Sequence, residues 1–193
     1  SAASDVYKRQ DLIKKVTTEA FPSLNLKFAT QDEPKGISHA LKQAEVHVDR
    51  DEKILFILGD NFFEKNPIID FDFSQYKKGS YIFTKSVNNP QEFGVAQMNS
   101  NGNVVSIDEK PIAPKSDLAV VGIYIFDETV FEKISTLSPS SRGEYEITDL
   151  CNIYVQENTC RNFVIDGWWI DAGTPDRIIA VSYTHLRAHE TDT

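Results

Sequence analysis

Two uninterrupted apolar runs constrain this chain more than any other feature. Ile54-Leu55-Phe56-Ile57-Leu58 ends in Gly59-Asp60-Asn61, and Leu118 to Phe126 is broken only by Gly122. Short apolar runs closed by turn residues are how strands buried on both faces of an α/β sheet read. Between them, Ser80 to Val87, Gly94 to Asn99 and Asn103 to Ile107 read as further strands, and Ser100-Asn101-Gly102-Asn103 carries the Asn-Gly signal of a tight hairpin. Helical spacing fills the gaps. Ile37, Ala40, Leu41, Ala44 and Val48 share one face, as do Phe131, Ile134 and Leu137, and again Ile147, Leu150, Cys151 and Tyr154. Thr174-Pro175-Asp176 has the hydroxyl, proline and acid of a helix start. The expected fold is a three-layer, Rossmann-like α/β mixed sheet with an antiparallel hairpin element.

No repeat, low-complexity stretch or linker divides this body, so one domain over residues 11–182 is expected. Residues 1–10 and 183–193 resemble translated adapter sequence and are read as non-native ends. The 193 residues begin with serine and hold one methionine, Met98, and the first ten lack the apolar segment of a signal peptide. A fragment is the expectation. No apolar run approaches the ~18 residues that span a bilayer. With 20 Lys and Arg against 29 Asp and Glu, the formal charge of −9 argues against a nucleic-acid partner, which a basic face would announce. An anionic substrate must instead meet a local cation. Cys151 and Cys160 form neither a CxxC pair nor a disulfide framework, which suits a reducing cytoplasm and a packing role.

No two of the nine glycines lie closer than six positions, so neither GxGxxG nor GxxxxGK[ST] is present. Asp60 stands at the carboxyl end of a buried strand, where open α/β sheets bind ligands, and a carboxylate there suits Mg²⁺. A turn-forming aspartate is the plainer alternative. Trp168-Trp169-Ile170-Asp171-Ala172-Gly173 is a second apolar segment ending in an acid, and two such acids could share one metal. In Glu109-Lys110-Pro111 the proline ends a strand and fixes where Lys110 projects, as a phosphate-holding point charge or as a solvated lysine. Ser141-Arg142-Gly143-Glu144-Tyr145-Glu146 reads as the opening of a helix with acids in its first turn, where Arg142 could clamp a phosphate and Glu144 could accept sugar hydroxyls. His39 and His47 read as solvated, and His185 and His189 lack the glutamate of a zinc-protease helix.

In order along the chain come Gln31 with Pro34-Lys35-Gly36-Ile37, Leu58-Gly59-Asp60-Asn61, Phe93-Gly94-Val95, Glu109-Lys110-Pro111, Val120-Val121-Gly122-Ile123-Tyr124, Arg142-Gly143-Glu144-Tyr145-Glu146-Ile147-Thr148 and Trp169-Ile170-Asp171-Ala172-Gly173-Thr174. This series resembles the sugar-1-phosphate nucleotidyltransferases, most closely their thymidylyl branch, over about Asp11 to Ser182. The resemblance implies a GT-A-like catalytic domain and, from dTTP and glucose 1-phosphate, formation of dTDP-glucose and pyrophosphate. It implies that Gln31 and Gly36 contact the base and that Asp60 and Asp171 hold Mg²⁺. Gly94, Glu109, Val120, Tyr124, Glu144 and Trp169 would line the sugar site, with Lys110 and Arg142 near the sugar phosphate. UTP or CTP, other sugar phosphates, or a non-catalytic sugar-nucleotide-binding relative are the alternatives. A homo-oligomeric cytoplasmic enzyme feeding deoxysugar synthesis of the dTDP-rhamnose kind is implied as well. The family's amino-terminal strand, its glycine-rich triphosphate loop and its carboxyl-terminal helical extension have no counterpart here, so the chain by itself is expected to be inactive.

Overall fold

The computed structural model describes the backbone of residues 2–173 and the side chains of residues 10–173. The expected helix start at Thr174 and the histidines at 185 and 189 lie outside the described residues. Helix α1 (Ala2–Ala20) leads, in part through a segment read from sequence as a non-native end. Its Leu12, Ile13 and Val16 are exposed. Helix α2 (Ile37–Gln43) continues into a 3-10 turn at Glu45–His47, then strand β1 (Ile54–Ile57) and the short β2 (Asn61–Phe63). Strands β3 (Ser80–Ser86), β4 (Gly94–Met98), β5 (Val104–Glu109) and β6 (Leu118–Phe126) follow. Helices α3 (Val130–Thr136) and α4 (Ile147–Gln156), then β7 (Cys160–Val164) and β8 (Trp169–Asp171), complete the described chain.

The main sheet has the order β5-β4-β6-β3-β7, with β1 alongside β6, and β2 and β8 form a separate antiparallel pair. The sheet is mixed: β3 runs parallel to β7, while β6 is antiparallel to β1, β3 and β4. The β4–β5 hairpin turns through Gly102, whose φ of +75° is a left-handed value that costs glycine little. There the Asn99 side-chain oxygen accepts from the N–H groups of Asn101 and Asn103 at 2.9 and 3.0 Å.

Because side chains alternate along a strand, β6 feeds two cores at once. Val120, Tyr124 and Phe126 point to one face, where Leu41, Phe131, Ile134, Ile147, Leu150 and Tyr154 of the helices cover them. Val121, Ile123 and Ile125 point to the other, where among the described residues they cluster with Phe71, Tyr76, Phe83 and Ile165. Nearly every β6 residue is therefore buried, as its apolar run predicts. The other run behaves differently. Leu55 is 38% exposed and Ile57 48%, so β1 is not buried on both faces. They lie opposite Ile125 and Ile123, on the face away from helices α2 to α4, and among the described residues β1 has a hydrogen-bonded neighbour on one edge alone. A continuous apolar run reports composition but not how many neighbours the strand finds.

The three expected helices form, with Leu41, Phe131, Ile134, Ile147, Leu150, Cys151 and Tyr154 buried. The helix expected to open at Ser141 starts instead at Ile147. Gly143 adopts a φ of +76° and its N–H donates to the Ser140 carbonyl at 2.8 Å, a turn that keeps residues 140–146 out of the helix. Cys151 and Cys160 are both buried free thiols, in the packing role read for them.

Candidate active site

The local fold around Asp60 depends on a glycine in the middle of the central strand. Beyond β1 the Leu58 N–H donates to the Gly122 carbonyl at 2.8 Å, and the chain then turns so that Asn61 lies against β6. A Cβ at Gly122 would stand 2.6 Å from Nδ2 of Asn61 and 2.9 Å from Cβ of Leu58, closer than real atoms approach. The Asn61 side chain bonds three partners. Its Oδ1 accepts from the Gly122 N–H at 3.2 Å and from the Trp169 indole N–H at 2.6 Å, while its Nδ2 donates to Asp60 Oδ1 at 2.8 Å. One amide thus orients a carboxylate and an aromatic ring together.

The two acids meet through the small sheet. Antiparallel pairing of β2 with β8 sets Asn61 opposite Asp171 and Phe63 opposite Trp169. The Ala172 N–H donates to the Asp60 carbonyl at 2.7 Å, and the Gly173 N–H donates to Asp171 Oδ1 at 2.9 Å. A Cβ at Gly173 would lie 3.0 Å from Asp171 Oδ1 and 3.5 Å from Asp60 Oδ2, so both carboxylates border the same backbone point. Among the described residues no cluster of three or more His, Cys, Asp or Glu side chains could hold a metal. A pair of hard carboxylate oxygens is the donor set that Mg²⁺ accepts, since that ion keeps several waters and takes further oxygens from phosphates.

Beside the acids opens a cleft of about 400 Å³. Asp60, Gly94, Glu109, Lys110, Val120, Tyr124, Trp169 and Asp171 all line it. Trp169 packs on Phe93 with ring centroids 4.9 Å apart. Lys110 has a φ of +44°, a left-handed conformation in which its N–H donates to the Phe93 carbonyl at 3.0 Å and closes the end of the β4–β5 hairpin. Gly94 is required by close approach, because a Cβ there would stand 2.9 Å from Cγ2 of Thr148. Burial, and after it the neighbouring Glu146 charge, push the Glu109 carboxyl above the usual carboxylate range, against the pull of Lys110 and Arg142.

The remaining expected residues are placed beside the cleft rather than in its wall. Arg142 bonds Glu146 through Nε at 3.2 Å and Nη2 at 2.9 Å, and also reaches Glu109 at 3.3 Å and Glu144 at 3.6 Å. Its hydrogen bonds to Glu146, helped by the surrounding acids, hold its own protonation even more firmly than usual. Gly36 has a φ of +98° and packs so tightly on residues 144–145 that a Cβ would lie 2.7 Å from the Tyr145 carbonyl oxygen. Its neighbour Ile37 reaches the cleft. Gln31 Nε2 donates to the Gly36 carbonyl at 3.1 Å, and His39 is half-buried against Gln31 rather than solvated. The sequence by itself assigns no role to Asn61, Phe93 and Thr148, which also line the cleft. Each sits in a motif already singled out, and only the cleft shows that their side chains belong to it.

Residues 4–188 match the family model for nucleotidyl transferases, and the chain belongs to that family. Among its curated relatives, the glucose-1-phosphate thymidylyltransferase of Mycolicibacterium smegmatis is 36% identical over 163 residues, covering 82% of this chain and 56% of that protein. The low-salt glycan biosynthesis nucleotidyltransferase of Haloferax volcanii is 36% identical over 159 residues, 81% of this chain and 44% of that protein. The chain therefore spans about half the length of the curated relatives it matches. A Bacillus anthracis protein described as a glucose-1-phosphate thymidylyltransferase, solved in complex with sucrose, superposes with a TM-score of 0.78 at 37% identity, over 88% of this chain and 69% of that one. A UDP-glucose pyrophosphorylase solved with UDP-glucose shares the fold at a TM-score of 0.69 and 23% identity, over 81% of this chain and 64% of that one. Among the described residues no helix is long and apolar enough to cross a membrane.

Proposed function

We propose that this chain supplies the metal and sugar-phosphate half of an active site that transfers the thymidylyl group of dTTP to glucose 1-phosphate, releasing pyrophosphate. The observation that carries the reading is the convergence of Asp60 and Asp171 at the wall of the cleft, beside Lys110 and Glu109. In the reaction an oxygen of the sugar phosphate attacks the α-phosphorus directly and in line, the new P–O bond forming as the bond to pyrophosphate breaks. Both reactants are anions, so the protein must offset their repulsion and fix their approach. Bound at Asp60 and Asp171, Mg²⁺ would neutralise charge on the phosphate oxygens. Lys110 supplies a cation at the cleft wall, and Glu109 and Trp169 offer an acceptor and an apolar plate to a sugar. No nucleophilic side chain is required.

The thymidylyl and glucosyl assignments follow the relatives at about 35% identity, and the full-length protein is the species to assay. Pyrophosphate release would be measured with dTTP, UTP, CTP and ATP against glucose 1-phosphate and other sugar phosphates. Turnover fastest with dTTP and glucose 1-phosphate is the expected result. Fastest turnover with UTP or CTP would replace the base assignment, and no turnover with any pair would point to a non-catalytic sugar-nucleotide-binding relative.

A further inference from the structure

We propose that Asn61 is a positioning residue through which the indole N–H of Trp169 sets the affinity of Asp60 for a divalent cation. The inference rests on the reading of Asp60 and Asp171 as the metal ligands. Asp60 is exposed, and among the described residues its carboxylate has one hydrogen-bond partner, Nδ2 of Asn61 at 2.8 Å. An exposed carboxylate without a partner turns among its rotamers, and each turn moves the oxygen it offers to a cation. Here Asn61 holds Oδ1. The other oxygen, Oδ2, lies 3.5 Å from where a Cβ of Gly173 would stand, and Asp171 Oδ1 borders that same point at 3.0 Å. The single bond from Asn61 therefore keeps the free oxygen of one acid on the side where the other acid lies.

What holds the amide is equally specific. The N–H groups of Gly122 and of the Trp169 indole can only donate, and both reach Oδ1 of Asn61, at 3.2 and 2.6 Å. The amide nitrogen therefore faces the carboxylate, which when ionised can only accept. Turned end for end, the amide would lose all three bonds. The shorter of the two bonds to its oxygen comes from Trp169. Without it the Gly122 contact remains as a pivot, about which the amide can swing and carry Nδ2 off Asp60. Trp169 is itself held, with its ring on Phe93 at 4.9 Å between centroids and its backbone paired opposite Phe63. Removing the hydrogen-bond partners of metal-binding side chains changes metal affinity by roughly 10–100-fold.

The test measures the binding of Mn²⁺, a stand-in for Mg²⁺ visible by electron paramagnetic resonance, to the full-length protein without nucleotide or sugar. Trp169→Phe keeps a ring on Phe93 and removes the N–H, and Asn61→Ala removes the amide. Trp168→Phe alters the neighbouring indole, which is not among the residues lining the cleft. Expected are a weakening on the order of tenfold in Asn61→Ala, about threefold or more in Trp169→Phe, and wild-type affinity in Trp168→Phe. The double variant of Asn61→Ala with Trp169→Phe should lose no more than Asn61→Ala alone, because the indole acts through the amide. Should Asn61→Ala fail to fold, Trp169→Phe against Trp168→Phe decides. Wild-type affinity in Trp169→Phe, an equal loss in Trp168→Phe, or additive losses in the double variant would overturn the proposal. Asp60→Asn and Asp171→Asn separate the two levels: if they abolish binding while Trp169→Phe does not weaken it, only the role of Asn61 falls, and if they leave Mn²⁺ affinity unchanged the metal reading falls with it.

Discussion

Gly122 and Asn61, on strands β6 and β2, approach so closely that the glycine N–H donates to Asn61 Oδ1 at 3.2 Å where a side chain would find no room. Through that contact the centre of the sheet dictates where Asp60 and Trp169 point, since Asn61 bonds both.

Gly122→Ala should accordingly push Asn61 off its partners. Overpacking of this kind costs about 1–3 kcal/mol, and re-aiming a carboxylate by about an ångström costs on the order of a hundredfold in rate. Thermal unfolding should show the smaller effect and turnover of the full-length protein the larger. A variant that keeps wild-type turnover would show that Asn61 does not control Asp60.

Asp60→Asn and Asp171→Asn should each remove most activity at limiting Mg²⁺ while leaving the fold intact, because the β2–β8 pairing and the Ala172-to-Asp60 bond are made by backbone. Titration of Mg²⁺ against rate would read the defect. Near-full rate in either variant at low Mg²⁺ would remove that acid from the metal assignment.

Asp127 gives a pH dependence with a definite sign. Burial raises its carboxyl, but hydrogen bonds from the Thr129 hydroxyl, the N–H groups of Gly79 and Thr129, and the Tyr154 hydroxyl outweigh it and hold the group below its usual range. The native state thus binds this proton less readily than the unfolded chain, so the stabilisation is complete above about pH 5 and is lost as pH falls below about 4. Asp127→Ala should cost about 2–4 kcal/mol at neutral pH, leaving the Gly79 N–H and Tyr154 hydroxyl without their acceptor. In urea unfolding the gap between variant and wild type should narrow in acid; a gap constant between pH 7 and pH 3 would contradict the account.

Both thiols should resist alkylation while the chain is folded. Burial drives Cys151 far above the ordinary thiol range and Cys160 to about 11, so little thiolate exists at neutral pH and reagents have no access. Mass spectrometry after iodoacetamide treatment should find both unmodified in buffer and both modified in denaturant. Rapid labelling of Cys151 in buffer would contradict the buried packing.

Much of the fold is legible in the residue order because local periodicity suffices for it. The apolar run Leu118 to Phe126 coincides with β6, and the helical stripe from Ile147 to Tyr154 faces the core as its spacing requires. The burial of β1 was not legible, because Leu55 and Ile57 look like core residues until the absence of a covering element on their face is seen among the described residues. The start of α4 is not legible for a similar reason: acids before a helix look like its first turn, and the left-handed Gly143 decides otherwise.

By itself the sequence determined that Asp60 and Asp171 each follow an apolar segment and that neither GxGxxG nor GxxxxGK[ST] is present. Only the tertiary structure decided that the two acids meet. Their encounter depends on β2 pairing with β8 across more than a hundred residues and on Gly122 leaving space for Asn61, relationships that no local pattern encodes. It decided as well that His39 is half-buried against Gln31 rather than solvated, since the polar side of a helix is covered only when another segment folds over it.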